Sequence, residues 1–500
     1  MSHELDRSRL PDQVDSVAPA AFAHGFSRRD MLRLSGLGFG SLALQALLAG
    51  ERATAASAQA LDLRPKAPHF PPRARAVIML MQNGGPSQME LFEPKPELEK
   101  HHGKQHSLKV EMFQAGSEQN TLMKSVFPFR KYGQSGMELA EIIPHIGSVV
   151  DDICLVRSMY TEHANHTEAL VMFNTGKIFQ GKPALGSWIS YALGTENQNL
   201  PAYVVLRDPA GYNTSGSLTW SSAWLPALYR GTEFSSQGAP ILNLKPFRPQ
   251  PAGAQADDLD FLARLNRQHQ RGYPRDSELE TRIQNYELAA RMQLAAGELV
   301  DISQETAATR KLYGLDNPET QGYGLRCLMA RKLVEAGVRF VQIFPKPFQP
   351  WDTHSKTKEE LSAICGACDQ PSAALITDLK QRGLLDSTVV LWSGEFGRLP
   401  VSQNGTGRDH NRNAFSLFLA GGGFKAGHIH GATDEVGYRS VVDRVSVPDL
   451  HATILNQLGL DHRTLTYEHS GREESLTDAP VSGAKVVGQL LAQSAGSVVG

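Results

Sequence analysis

The chain carries six short, mostly apolar runs without regular alternation, at positions 76–81, 153–156, 202–206, 340–344, 388–392 and 415–419, with Gln342, Thr388 and Ser416 as their polar members. A strand with one face in water alternates apolar and polar side chains. A strand that is apolar at every position is buried on both faces, which is the situation inside a parallel sheet. Helical patterns lie between the runs: 325–336, then 371–382 opening on Pro371 and stopping at Gly383, then 448–458 opening on Pro448 and closing at Gly459. Strands alternating with helices predict an α/β protein with a mostly parallel central sheet, flanked by helices on both faces. Reactive groups are then expected at the carboxyl ends of the strands. Between residues 211 and 301 the pattern reads as loops followed by a helical excursion.

With 500 residues the chain is long enough for one large domain of this kind or two ordinary ones. The formal net charge of -2 gives no basic stripe for nucleic acid and no acidic block for a disordered tail. Ahead of the first run, Ser27-Arg28-Arg29-Asp30-Met31-Leu32-Arg33 resembles the twin-arginine export motif. An apolar stretch rich in Gly and Ala follows over residues 34–50, too short and glycine-rich for a stable membrane span. Small residues at 56–60 offer cleavage sites. The expected organisation is a signal region over 1–60, a linker over 61–75, one domain over 76–480 and a tail over 481–500. The expected location is the periplasm or envelope of a bacterium, reached through the twin-arginine translocase. The four cysteines include a CxxC, Cys365 and Cys368. The pair reads as small core residues or a local disulfide, with a redox pair as the weaker alternative.

Polar clusters stand at the strand ends. Gln82-Asn83-Gly84-Gly85 follows the first run, Trp351-Asp352-Thr353-His354 the run at 340, and Gly394-Glu395-Phe396-Gly397-Arg398 the run at 388. Gly407-Arg408-Asp409-His410 precedes the run at 415. Asn83, Asp352, His354, Glu395, Asp409 and His410 are the candidate metal ligands. Mixed carboxylate and imidazole donors suit zinc, manganese or iron better than a hard-cation cage. A second cluster, His163-Ala164-Asn165-His166-Thr167-Glu168, sits where a helix begins, and backbone amides at a helix N-terminus favour an anion. His163, His166 and Thr167 are candidate catalytic groups. Arg398 and Arg408 are candidates for steadying an anionic group, with an ordinary ion pair as the alternative for each. Gly84 and Gly85 would let backbone approach a ligand closely.

Gly84-Gly85-Pro86-Ser87-Gln88, Trp351-Asp352-Thr353-His354, Gly394-Glu395-Phe396-Gly397-Arg398 and Gly407-Arg408-Asp409-His410, with Pro448-Asp449-Leu450-His451-Ala452-Thr453-Ile454-Leu455, resemble a bacterial family catalogued only as domain of unknown function 1501. That family is placed in the alkaline-phosphatase-like superfamily, with the alkaline phosphatases and sulfatases. The resemblance runs from about residue 77 to 478. It implies an exported, metal-dependent hydrolase of phosphate or sulfate esters. Zinc is the first choice of divalent metal, with calcium or manganese as alternatives. In the superfamily the nucleophile begins a helix ten residues before the Gly of a Thr-Gly pair. Counting back from Gly176 lands on His166, with Thr167 beside it, so the reactive group is left open between the two. The resemblance also departs from the pattern at three places. Asn83 stands where a metal Asp is usual, Glu395-Phe396 where an Asp-His pair is usual, and Asp352 and His354 are two apart rather than four. His410 matches the late metal histidine. One metal is therefore expected rather than two. A non-catalytic envelope protein binding anionic glycans on the same fold is the alternative function.

Overall fold

The computed structural model describes residues 62–237, 253–273, 277–299 and 301–492. The twin-arginine motif, its apolar stretch and the small-residue cleavage sites lie outside the described residues.

Each apolar run forms a strand. They are β1 (Ala76–Met81), β2 (Ile153–Tyr160), β3 (Tyr203–Leu206), β4 (Phe340–Ile343), β5 (Thr388–Ser393) and β6 (Phe415–Ala420). They join a nine-stranded sheet in the order β2-β6-β5-β1-β4-β3, extended by Thr232–Glu233 beside β3 and by His428–His430 and Val445–Ser446 beside β2. β1 pairs in parallel with both β5 and β4, and β4 in parallel with β3. Only β6 runs against its neighbours, β2 and β5, so the sheet is mostly parallel. Every residue of β1, β3, β4, β5 and β6 is buried, so both faces of the sheet are covered. The β5 indole of Trp392 packs between Phe92, Trp351 and Phe418 at ring-centre separations of 5.2, 5.6 and 5.4 Å.

The helices that matter for the site are α1 (His166–Thr175), α2 (Gln321–Glu335), α3 (Thr357–Gln381) and α4 (Val447–Gln457). α3 departs from expectation. Pro371 does not open it but lies inside it, fourteen residues from its start. An internal proline costs roughly 3 kcal/mol or more. The buried residues Leu361, Ile364, Cys365 and Cys368 upstream of the proline, and Leu375, Ile376 and Leu379 downstream, anchor the helix on both sides of the break. Cys365 and Cys368 are free thiols on that stripe, and burial pushes the Cys368 thiol up to about 12. The pair is core, without the exposure and depressed pKa that redox chemistry needs.

The ends of the domain run further than the sequence pattern marks. Residues expected as a linker are tied down along the domain, with Arg73 and Ala74 amides on the Gln457 carbonyl and Arg75 on that of Ser387. Val487 and Leu490, from the expected tail, are part of the core. The helical excursion is present as Ala254–Gly272 and Ser277–Leu299. Among the described residues no helix is long and apolar enough to cross a membrane.

Candidate metal centre

Asp352 follows β4 on a loop held at its base by the Trp351 indole, whose Nε1 donates to Gln82 Oε1 at 3.0 Å. His166 is the first residue of α1. Glu395 follows β5 directly. His410 pairs with Arg398 on a two-stranded ribbon that leads into β6. The parallel sheet thus brings residues that are far apart in sequence to one end of the strands.

Three imidazoles meet at the Asp352 carboxylate. His354 Nε2 lies 2.8 Å and His410 Nε2 3.3 Å from Oδ1, and His166 Nε2 lies 3.3 Å from Oδ2. His354 Nε2 and His410 Nε2 are only 2.9 Å apart. The other nitrogen of each ring is occupied. His166 Nδ1 bonds Glu395 Oε1 at 2.6 Å, His410 Nδ1 bonds the Ala164 carbonyl at 2.7 Å, and His354 Nδ1 bonds Gln403 Oε1. The Gln403 amide cannot be turned round, because its Nε2 donates to the Ala115 carbonyl at 2.8 Å. All three partners are acceptors, so each Nδ1 carries the hydrogen and each neutral ring turns its Nε2 lone pair inward. His166 Nε2 is buried with no well-formed hydrogen bond. Inward lone pairs on a carboxylate, each ring fixed through its far nitrogen, are the arrangement of metal-ligating histidines. The donor set fits a divalent transition metal such as zinc.

The electrostatics agree. The carboxylates of Asp352, Glu395 and Asp409 against the Arg398 guanidinium leave two formal negative charges for a divalent cation to cancel. Burial opposes ionisation of Asp352, but the Arg398 charge beside it outweighs that and holds the carboxyl well below its usual range. Burial likewise opposes a charge on His166, yet the Asp352 and Glu395 carboxylates on either side of the ring raise its pKa. His410 goes the other way, to about 4, through burial and then the nearby charges of Arg398 and His166. Two overlapping groups can each offer donor atoms within 4.8 Å of one another: His166, Asp352 and His410, and His354, Asp409 and His410.

The remaining expected residues have other engagements. Glu395, expected as a ligand, accepts the Gly84 amide on both oxygens at 2.9 and 3.0 Å and the Gly85 amide at 3.3 Å, besides the His166 ring. It orients His166 and pins the β1 loop. Gly84 has φ +116°, and a Cβ there would lie 2.7 Å from the Trp351 nitrogen. The close approach that the glycines permit is to the 351–352 backbone and to Phe396, not to a ligand. Asp409 accepts the amides of Phe113, Gln114 and His410 at 2.7, 2.8 and 2.8 Å. Asn83 Nδ2 donates to the Phe348 carbonyl, while its Oδ1 is buried without a partner.

Both arginines take the second of their two expected roles, the ion pair. Arg398 donates to the carbonyls of Gly84, Gly85 and Arg408 and to Asp352 Oδ1 at 2.6 Å. Arg408 pairs with buried Glu90 at 2.8 Å and donates to the carbonyls of Leu399 and Met123. Both guanidiniums are fully buried and their donors are spent on the protein, so neither is free to steady a ligand. Thr167 and His163 line a neighbouring cavity of about 290 Å³ with Glu168 and Phe179. Gln403 and the Ala164 carbonyl are site residues that the sequence reading missed. A glutamine 49 residues from its histidine, or a backbone carbonyl, carries no local signature.

The fold and site together define an α/β protein with a buried histidine–aspartate cluster at the carboxyl end of a mostly parallel sheet. The family model for DUF1501, described as protein of unknown function, matches residues 74–491, and the chain belongs to that family. No curated protein matches this chain. Among solved structures it is similar to the lipoteichoic acid synthase LtaP from Listeria monocytogenes at 8% identity, covering 80% of this chain and 76% of that one with a TM-score of 0.32. It is similar to the PsFucS1 sulfatase from Pseudoalteromonas sp. at 12% identity, covering 78% and 68% with a TM-score of 0.32. It is also similar to the phosphonate monoester hydrolase SpPMH from Silicibacter pomeroyi at 14% identity, covering 69% and 72% with a TM-score of 0.29. Likenesses this remote assign no residue of this chain a role.

Proposed function

We propose that this chain is an exported, metal-dependent hydrolase of phosphate or sulfate esters. The observation that carries the reading is the convergence of three Nε2 lone pairs on the Asp352 carboxylate, each ring held from behind by an acceptor. Asp352, His166, His354 and His410 would hold the ion. What a bound divalent cation supplies is Lewis acidity toward an ester oxygen and neutralisation of its charge.

The rest falls to the chain. His166 would be engaged at both ring nitrogens, by Glu395 and by the ion, so the attacking group is the adjacent Thr167 hydroxyl, its proton passing to solvent. Thr167 lies in the first turn of α1, where the helix dipole favours the charge of an anionic ester. His163 lines the same cavity as Thr167. Its Nδ1 accepts the Asn165 amide hydrogen at 3.1 Å, so the neutral ring keeps Nε2–H as a hydrogen-bond donor toward an ester oxygen. Glu395, Gln403 and the Ala164 carbonyl keep the three imidazoles in one tautomer throughout.

The test loads the purified protein with zinc, manganese or calcium and screens aryl phosphates and aryl sulfates. Wild type is expected to hydrolyse one class, with Asp352→Asn and Thr167→Ala each strongly impaired. Equal background rates for all three proteins with every metal would overturn the reading. One observation favours the alternative, a non-catalytic protein that binds anionic glycans: Arg398 and Arg408 leave no free guanidinium for developing charge. Glycan binding without turnover in the metal-loaded protein is its signature.

A further inference from the structure

A large cavity lies outside the cluster yet shares its scaffold. It has a volume of about 950 Å³ and is lined by Lys124, Lys356, Thr357 and Lys358, with Glu99 and Glu359 as the opposing charges. Thr357 is the first residue of α3, a helix of 25 residues. The N-cap residue Lys356 makes no side-chain cap, so no side chain spends itself on the first-turn amides. The second observation is independent of the helix. Thr357 is 1% exposed, and its Oγ1 is buried with no hydrogen-bond partner. A buried hydroxyl without a partner is costly unless something outside the chain satisfies it. Among the described residues no ion pair engages Lys124, Lys356 or Lys358, whereas Lys95 on the same wall is already paired with Glu93. Helix N-terminus, orphan hydroxyl and unpaired ammonium groups together describe an anion site.

The cleft and the cluster are parts of one device. Thr357 stands three residues after His354, and its amide bonds the Thr406 carbonyl at 3.2 Å. Gly407 approaches so closely that a Cβ would lie 1.8 Å from the His354 carbonyl oxygen. Val126, Phe127 and Pro128 give the cleft an apolar wall, the surface that the C–H face of a sugar ring covers.

We propose that this cleft is a second anion site, taking a further sulfate or phosphate group of a saccharide whose reacting ester sits at the cluster. This rests on the reading of the cluster as an ester hydrolase. The substrate is then a polyanionic saccharide rather than a simple monoester.

The test uses the full mature protein, a heparin-derived tetrasaccharide and its desulfated counterpart, with metal content measured in parallel. Wild type is expected to prefer the sulfated form. Lys124→Glu/Lys358→Glu, at exposed positions, is expected to abolish that preference. Thr357→Val is expected to weaken binding about tenfold, the usual loss for a hydrogen bond to a charged group, and Thr357→Ser to restore it, with metal content unchanged in all. Binding equal to wild type in the variants overturns the proposal, as does a wild type that binds inorganic sulfate but shows no preference for the sulfated tetrasaccharide. Should the protein hold no metal and hydrolyse nothing while the variants still lose the tetrasaccharide, the anion cleft stands and the hydrolase reading falls.

Discussion

His354 Nε2 and His410 Nε2 face each other across 2.9 Å, and neither nitrogen has a hydrogen to give, because each ring has donated from Nδ1. Two lone pairs at that separation repel unless a cation lies between or beside them. The cluster therefore stores a demand for positive charge that a metal ion satisfies.

The first prediction follows from that demand. Zinc is expected to raise the melting temperature of the wild-type protein by a few degrees, since ligand at a hundred times its Kd adds about 2.7 kcal/mol to the native state. Asp352→Asn removes the one oxygen pair that all three histidines share, so its melting temperature is expected to be insensitive to zinc. Differential scanning calorimetry with and without chelator measures both. An equal zinc response in the variant would place the ion elsewhere.

Glu395→Gln tests the support behind His166. The carboxylate takes two backbone amides and one ring N–H. An amide side chain must turn its NH2 toward one of those donors. Metal affinity is expected to fall about 10–100-fold, the usual effect of removing the group behind a ligating histidine. Competition against a fluorescent zinc chelator reads the affinity directly, and an unchanged Kd would deny Glu395 its orienting role.

Gly84→Ala should damage the site from the backbone side. At φ +116° an alanine is strained, and its Cβ would meet the nitrogens of Trp351 and Asp352 at 2.7 and 2.9 Å. A loss of more than about 1 kcal/mol is expected, with weaker metal binding because Asp352 must shift. Gly103→Ala is the control, at φ +77° with nothing within 4 Å of its Cβ. It shares the backbone strain but not the collision, and thermal melts of the pair separate the two contributions.

Asp352, His354 and His410 were legible in the sequence because a wholly apolar strand announces where its carboxyl end lies, and polar residues stranded there have few structural reasons to be present. Glu395 was legible as a site residue but not in its role. The donors it satisfies lie 310 and 311 positions away, and only the folded β1 loop presents them. For Arg398 and Arg408 the sequence left an anion-steadying role and an ion pair both open, for the same reason: a guanidinium surrounded by backbone carbonyls has no sequence signature. The start of α3 was misplaced because proline is a reliable helix opener only where burial upstream does not override it, and a stripe with the 3.6-residue period continues past Pro371 to Leu361. Nothing local in the sequence marked Thr357 or the cleft around it, since its significance is an absent hydrogen bond.

His451 gives a pH test that does not depend on the metal. It lies on α4, fully buried, with Nε2 donating to the Phe173 carbonyl of α1 at 2.9 Å and Nδ1 without a partner. Burial lowers its pKa to about 4, with the bond to Phe173 opposing that shift. In the unfolded chain the ring titrates near 6.5. Between these values the unfolded state binds the proton and the folded state does not, so stability rises with pH through the window and is lost as pH falls from about 6.5 toward 4. Roughly 2.5 pH units at about 1.4 kcal/mol each put the upper limit at about 3.5 kcal/mol. His410 is displaced in the same direction, so the comparison with His451→Gln isolates the contribution: the variant keeps a donor for Phe173 and loses the titration. Urea unfolding at a series of pH values from 7 to 4.5 is expected to show a shallower decline in the variant than in wild type. Parallel slopes would mean that α1 and α4 separate enough at low pH to admit water to the ring, in which case the helix carrying His166 is held less firmly than its burial implies.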